Sequence, residues 1–106
     1  MASPARLDPL DLVMRRGIRV SRPGFTVYAK RLTESYRPRI VVSGKLDKRA
    51  TVRNRLRRQI RSILVPYLGD TIGIVIVCRP EILTMTFSEL KPRLIAALET
   101  FPWKRS

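Results

Sequence analysis

The sequence predicts a single α/β domain, an α+β two-layer sandwich in which helices pack on one sheet. Its 106 residues suffice for one hydrophobic core but not for two. Hydrophobic residues make up 44% of the chain, a share typical of a globular domain and not of a disordered one. The apolar patterns follow the order helix, strands, helix, strand, helix. Such elements bury their apolar faces by packing helices on a sheet.

The first element is a short helix that ends before Gly17. Asp8 is a good N-cap residue, and Pro9 suits the first helical turn. The basic pair before Gly17 complements the negative end of the helix dipole. The side chains at helical spacing, which we expect to face the rest of the fold, are Leu10, Val13 and Met14.

Three extended segments are expected next. They are residues 18–21, residues 25–30 and, after a loop over 32–37, residues 39–43. Pro23-Gly24 supplies the turn between the first two segments. In the second segment alternate side chains point to opposite faces, which puts Thr26, Tyr28 and Lys30 on the less apolar face.

The most basic segment, residues 48–65, predicts a helix that Pro66 ends. At 100° per residue its apolar side chains fall within about a third of the circle. They are Val52, Leu56, Ile60, Ile63 and Leu64. The opposite arc carries Asn54, Arg55, Arg57, Arg58 and Arg61, with Arg53 at its border. One face of this helix should therefore dock on the sheet, while the other is almost purely cationic.

Two further elements complete the predicted sandwich. Residues 72–78 form a continuous apolar run with β-branched residues, as in a buried central strand. Residues 87–101 show helical apolar spacing, and Thr86 with Glu89 matches a capping box. Pro92 conflicts with that start, so we expect the helix either to begin nearer Ser88 or to be kinked at Pro92.

The charge of the chain is concentrated in one segment. The whole chain has a net charge of +14, and residues 37–61 contribute 10 − 1 = +9 of it. Most of these cations are arginines, whose planar guanidinium suits phosphate and base edges. A polybasic membrane patch usually relies on lysine beside a lipid or amphipathic anchor. The pattern therefore favours a nucleic-acid partner and no membrane partner.

Several other function classes are disfavoured. A single cysteine, Cys78, excludes a disulfide scaffold, and no Cys/His zinc site is available without histidine. The carboxylates are scattered along the chain, so we expect no catalytic residue and no metal ligand on the protein. The first twelve residues lack a signal-peptide core, and no apolar run is long enough to span a bilayer. We therefore expect a cytoplasmic protein.

The most specific motif is Arg53-Asn54-Arg55 followed by Leu56-Arg57-Arg58. It follows a strand that ends at Ser43 and a loop that contains Lys45, and an Arg79-Pro80 pair comes after the last strand. In this order, over about residues 7–101, the elements resemble the protein component of bacterial ribonuclease P. That family has an Arg-Asn-Arg helix after a strand and a lysine-bearing loop.

The resemblance implies an architecture and a function. The order would be αβββαβα, with the third and fourth strands parallel in a mixed sheet and joined by a left-handed crossover. Residues 1–106 would form one RNA-binding domain, monomeric within a ribonucleoprotein. The protein would assist ribonuclease P RNA, which removes the 5′ leader of precursor tRNA. Mg²⁺ would be held mainly by the RNA, so the protein alone would be inactive.

The resemblance also assigns roles to individual residues. Contacts with the catalytic RNA are expected from Lys48, Arg49, Arg55, Arg57 and Arg58. Contacts with the leader or the precursor tRNA are expected from Met14, Tyr28, Lys45, Arg53, Asn54 and Arg61. The chain departs from the family pattern where two aromatic residues of the first helix are replaced by Leu10 and Met14. It departs again where Gly44 replaces the first of two loop lysines.

Two alternatives share parts of this pattern. A ribosomal or general RNA-binding protein would have the same charge and fold class without a role in tRNA processing. A self-sufficient nuclease would need a cluster of carboxylates, and the sequence shows none.

Overall fold

The computed structural model describes residues 9–32, 37–67 and 72–101, which form a four-stranded sheet and three α-helices. The elements are α1 (Pro9–Arg16), β1 (Ile18–Arg22), β2 (Phe25–Arg31), β3 (Arg39–Val41), α2 (Ala50–Leu64), β4 (Ile72–Cys78) and α3 (Phe87–Leu98). Short 3₁₀ helices over Val65–Tyr67 and Pro80–Thr84 follow α2 and β4. The αβββαβα order is confirmed. The expected N-cap Asp8 and most of the loop over 32–37 lie outside the described residues.

The sheet is mixed, and its strands lie in the order β1-β2-β4-β3. β2 pairs antiparallel with both β1 and β4, whereas β3 runs parallel to β4. Two parallel neighbours need a crossover connection, and α2 lies within it. The parallel pairing is thereby confirmed, and the hand of the crossover stays a prediction.

One face of the sheet is covered by α2 and α3, and the main core lies between these layers. Every apolar residue assigned to the buried face of α2 is buried, and Ile60 and Leu64 are completely so. The strand side chains in this core include Phe25, Val27, Ile40, Ile74 and Ile76. Burial of one large aliphatic side chain contributes about 1.5–3 kcal/mol, and most of the buried apolar residues lie in this core.

The other face of the sheet is partly covered by α1. Val13 is fully buried, and a Cβ on Gly73 would lie 2.6 Å from its Cγ2 atom. Gly73 belongs to the face opposite Ile74, so α1 and α2 lie on opposite sides of the sheet. Thr26 was expected on a less apolar face, but it is buried there beside Ser21, with a 3.4 Å Oγ–Oγ1 contact.

Five predicted boundaries need correction. β3 ends at Val41 rather than 43, although Val42 is buried. α2 begins at Ala50 rather than 48, because Arg49 has an extended backbone and its N–H donates to the Asp47 carboxylate. The chain continues past the end of α2 in a 3₁₀ turn that contains Pro66. β1 and β2 also extend one residue further than expected, through pairing across the sheet.

The capping box at the start of α3 is confirmed. The Glu89 N–H donates to Thr86 Oγ1 at 3.2 Å, and the Thr86 N–H donates to Glu89 Oε1 at 2.9 Å. The helix starts at Phe87 and continues through Pro92, so the cap fixes its start despite the proline. Ser88 is exposed, so water can bond the carbonyl that Pro92 leaves without a donor.

Arg79 holds the β1–β2 turn against the end of β4. Its N–H donates to the Gly24 carbonyl at 2.9 Å, and its guanidinium donates to the Arg22 and Phe25 carbonyls. Gly24 has a φ of 94°, which a glycine adopts without strain. The basic residue before Pro80 therefore supports the fold.

Within the described ranges, no helix combines the length and apolar composition needed to cross a bilayer.

Replacing Gly17 with alanine should destabilise the fold. A Cβ there would lie 2.4 Å from the Val13 oxygen and 2.6 Å from the Ala29 oxygen, both of which are backbone atoms. We expect Gly17→Ala to lower the free energy of unfolding by about 1–3 kcal/mol. Gly44→Ala is the control, because nothing lies within 4 Å of its Cβ, and it should change stability by less than about 1 kcal/mol. Urea denaturation of both variants tests this, and equal stabilities would contradict the close packing of α1.

Candidate RNA-binding surface

The outer side of α2 forms a cationic surface, which we call the α2 surface. It consists of Arg53, Asn54, Arg55, Arg57, Arg58 and Arg61. α2 contains no acidic residue, so arginines three and four positions apart repel one another without an intrahelical counter-charge. Such a surface favours an anionic partner.

Three arginines of the α2 surface are presented to solvent. Arg55, Arg58 and Arg61 are exposed, and within the described residues none of them has a hydrogen bond or an ion pair. Their guanidinium groups can therefore bind phosphate or base edges without first breaking an internal contact.

Two other arginines of the α2 surface are anchored to the protein. Arg53 is half-buried, and its Nη1 donates to the Asp47 carbonyl at 2.8 Å. Arg57 donates from Nη2 to the Val42 carbonyl at 3.3 Å and from Nη1 to Asn54 Oδ1 at 3.2 Å. These contacts tie the start of α2 to the preceding loop and to the end of β3. They leave part of each guanidinium fork available to a ligand.

Asp47 organises the segment before α2. Its carboxylate accepts two bonds from the Arg49 guanidinium, at 3.1 and 2.9 Å, and one from the Arg49 N–H at 2.8 Å. The hydrogen bonds from Arg49 lower the pKa of Asp47 from 3.8 to about 2. Arg49 was expected to contact RNA. Its guanidinium is held by Asp47, but the Arg49 side chain remains 73% exposed, so it can still face a partner.

The loop before α2 presents a lysine at its tip. The Leu46 N–H donates to the Ser43 carbonyl at 3.1 Å, which closes a turn over residues 43–46. Lys45 is exposed in this turn, and Leu46 packs against the core. Gly44 is surrounded by open space, so its lack of a side chain is not a packing requirement. Lys48 is exposed between this turn and α2.

The predicted site residues are divided between the two sides of the sheet. Tyr28 and Met14 are half-buried on the side of α1, whereas the loop and α2 residues lie on the other side or beyond the end of β3. Sequence reasoning missed Arg19 and Arg39, which share the face of Tyr28. The pairing register of the strands places them there, and the sequence alone does not contain that register.

The surface offers binding groups rather than reactive ones. Within residues 9–32, 37–67 and 72–101, no three His, Cys, Asp or Glu side chains come close enough to hold a metal ion. Cys78 is buried, and desolvation raises the pKa of its thiol to about 12. That thiol therefore stays protonated at neutral pH.

Comparison with known proteins identifies one family. The family model named Ribonuclease P matches residues 9–101. A curated relative from Cyanothece sp., a ribonuclease P protein component, is 41% identical over 58 residues. That match covers 52% of this chain and 44% of the relative, so it spans less than half of the relative's length.

Solved structures of two bacterial RNase P proteins share the fold of this chain. The RNase P protein of Staphylococcus aureus superposes with a TM-score of 0.74 at 24% identity, over 86% of each chain. The RNase P protein of Thermotoga maritima gives a TM-score of 0.72 at 25% identity, over 92% of this chain and 98% of that one.

Reversing the charge of the presented arginines should abolish most RNA binding without unfolding the protein. The double variant Arg55→Glu/Arg58→Glu is expected to weaken binding to structured RNA at least about tenfold. It should also reduce the slope of log affinity against log salt by about one unit per lost phosphate contact. The control Lys91→Glu/Arg93→Glu makes the same charge change at exposed positions of α3. Equal losses in both double variants would show that only the total charge matters.

The Asp47–Arg49 contact should be visible in a pH titration. The pKa of Asp47 is lower in the folded protein, at about 2, than its ordinary value of 3.8. Ionised Asp47 therefore contributes stability at any pH above about 4, and this contribution is lost as the pH falls through about 2. A carboxyl NMR titration should give a midpoint near 2, and Arg49→Gln should raise it. A midpoint near 3.8 in the unmodified protein would contradict this geometry.

Proposed function

The chain belongs to the Ribonuclease P family, and from that premise we propose that it is the protein subunit of ribonuclease P, which assists removal of the 5′ leader from precursor tRNA. The observation that carries this proposal is the α2 surface. It combines the family's Arg-Asn-Arg motif with arginines that have no internal partner in the described part of the chain. The partners would be the ribonuclease P RNA and precursor tRNA, and the site of action would be the cytoplasm.

In this proposal the RNA performs the chemistry and the protein binds. The chain has no histidine, and its eight acidic residues are distributed over the whole sequence. Phosphodiester hydrolysis and Mg²⁺ are therefore assigned mainly to the RNA. The protein, monomeric in the ribonucleoprotein, would supply positive charge where two phosphate backbones approach each other. Release of their counterions would then favour assembly.

The proposal assigns two binding tasks, and the residues for the precursor come from both sides of the sheet. The arginines at the centre of the α2 surface, with Lys48 and Arg49 before it, would dock on the catalytic RNA. Contacts with the leader or the precursor would come from Met14, Tyr28, Lys45, Arg53, Asn54 and Arg61. Tyr28 is the aromatic side chain on the α1 side of the sheet that the proposal uses for stacking on an unpaired base.

Reconstitution with a bacterial ribonuclease P RNA tests this proposal. We expect the protein to raise kcat/KM for precursor tRNA at low Mg²⁺, where RNA alone is least active. The protein without RNA should cleave nothing at neutral pH. The assay compares RNA alone, protein alone and both together, with a 5′-labelled precursor.

The other outcomes distinguish the alternatives. An RNA-binding protein that leaves the activity of the catalytic RNA unchanged would be a ribosomal or general RNA-binding protein. Specific leader removal by protein that survives nuclease treatment and repurification would instead show a protein enzyme.

A further inference from the structure

Asp47 is the only acidic residue in the most basic segment of the chain. Residues 37–61 contain ten lysines and arginines and this one carboxylate. A negative charge within a surface that binds phosphate repels the ligand, so charge alone would make Asp47 a cost to RNA affinity. Its contacts give it a different role.

The Asp47 carboxylate is covered, whereas the cation that it holds is exposed. The Asp47 side chain is 9% exposed, and the Arg49 side chain is 73% exposed. Arg49 Nε and Nη2 donate to the two different oxygens of the carboxylate, at 3.1 and 2.9 Å. This bidentate pair uses only part of the guanidinium fork, so its other N–H groups can still bind a phosphate oxygen. An approaching phosphate therefore meets the guanidinium before it meets the carboxylate.

Asp47 also fixes where this guanidinium lies relative to α2. The Arg49 N–H donates to Asp47 Oδ1 at 2.8 Å, and Arg49 has an extended backbone at the N-cap position of α2. The Asp47 carbonyl accepts a hydrogen bond from Arg53 Nη1 at 2.8 Å. Asp47 therefore connects two arginines at the start of α2. An arginine that is already held loses less side-chain conformational entropy when it binds a ligand.

We propose that Asp47 is a positioning residue for RNA binding, which holds the Arg49 guanidinium at the start of α2 where it contacts a phosphate of the catalytic RNA. This rests on the proposed function. The proposal differs in sign from a purely electrostatic expectation. Removal of the negative charge of Asp47 should weaken RNA binding, because the loss of the held guanidinium outweighs the loss of repulsion.

The test compares two substitutions that each remove one negative charge. Asp47→Asn keeps the shape of the side chain, but its amide nitrogen cannot accept a hydrogen bond, so the bidentate pair is lost. Glu81→Gln is the matched control, because Glu81 is exposed in the 3₁₀ helix over Pro80–Thr84, which carries none of the proposed RNA-contacting residues.

The affinity of each variant for a bacterial ribonuclease P RNA is measured over a range of salt concentrations. We expect Asp47→Asn to weaken binding roughly fivefold, although the net charge rises from +14 to +15. The slope of log affinity against log salt should fall by up to about one unit, as for a lost phosphate contact. Glu81→Gln should leave the affinity unchanged or raise it slightly.

A double-mutant cycle determines whether Asp47 acts through Arg49. Arg49→Gln alone should weaken binding. When Asp47→Asn is added to Arg49→Gln, no further loss should follow, because no guanidinium remains to be held. A disturbed start of α2 would instead weaken binding with and without Arg49. Thermal unfolding establishes that each variant is folded at the temperature of the binding measurement.

A second variant tests the same contact with Asp47 left in place. Arg49→Lys keeps the positive charge, but a single ammonium group cannot form the bidentate pair. We expect it to weaken RNA binding about as much as Asp47→Asn does. Full affinity in Arg49→Lys would show that the charge suffices without the held fork, and this would contradict the proposal.

The remaining contrary results separate this proposal from the proposed function. If Asp47→Asn binds the RNA as tightly as Glu81→Gln does, or more tightly, Asp47 is a counter-charge and not a positioning residue. An equal loss from Asp47→Asn in the presence and absence of Arg49 also overturns the proposal. In both cases the unmodified protein still assists the RNA, and the proposed function stands. If the unmodified protein does not assist the RNA, the proposed function itself fails.

Discussion

The docking of α2 on the sheet is the constraint on which the other features depend. Leu56 and Ile60 are buried in the core, and α2 connects the parallel neighbours β3 and β4. Because these apolar side chains face the sheet, the opposite side of the helix faces solvent. The outward orientation of Arg55 and Arg58 therefore follows from the burial of the apolar residues on the other side of the helix.

This burial outweighs the repulsion among the cations of α2. A like-charged pair three or four residues apart destabilises a helix by about 0.2–0.5 kcal/mol, and α2 contains a few such pairs, including Arg53–Arg57 and Arg57–Arg61. Each buried aliphatic side chain contributes about 1.5–3 kcal/mol, and α2 buries five. The burial of these side chains therefore exceeds the repulsion among the arginines in size. Binding of phosphates would relieve this repulsion, so part of the electrostatic free energy would favour the proposed RNA contacts.

The sequence predicted the features that depend on local periodicity or on short motifs. The two faces of α2 and the Thr86–Glu89 capping box are of this kind, because the residues involved lie within a few turns of one helix. The start of α2 was misplaced, because the Asp47–Arg49 contact holds Arg49 in an extended conformation. Thr26 was expected on the less apolar face of β2, and on that face it is buried. The sequence of β2 does not show this burial, because the residues that cover a sheet face come from other parts of the chain.

The residues of the candidate site also differ in whether the sequence predicts their positions. The α2 surface could be predicted because one helix carries all of its residues. The positions of Arg19 and Arg39 could not, because these residues are twenty positions apart and share the face of Tyr28 only through the pairing register of four strands. A shift of one residue in that register would move these side chains to the opposite face.

The internal contacts of α2 show that arginines of one motif have different tasks. Arg57 reaches the Val42 carbonyl and Asn54 Oδ1 with two nitrogens of one fork. A lysine has a single charged nitrogen on a flexible stem, so it could not hold both acceptors in this planar geometry. Arg55 and Arg58 have no such internal acceptors in the described structure, and their forks remain available for phosphate. The spacing of the motif thus satisfies two requirements together, since the anchored arginines hold α2 against the preceding loop and the presented ones stay exposed for the proposed RNA contacts.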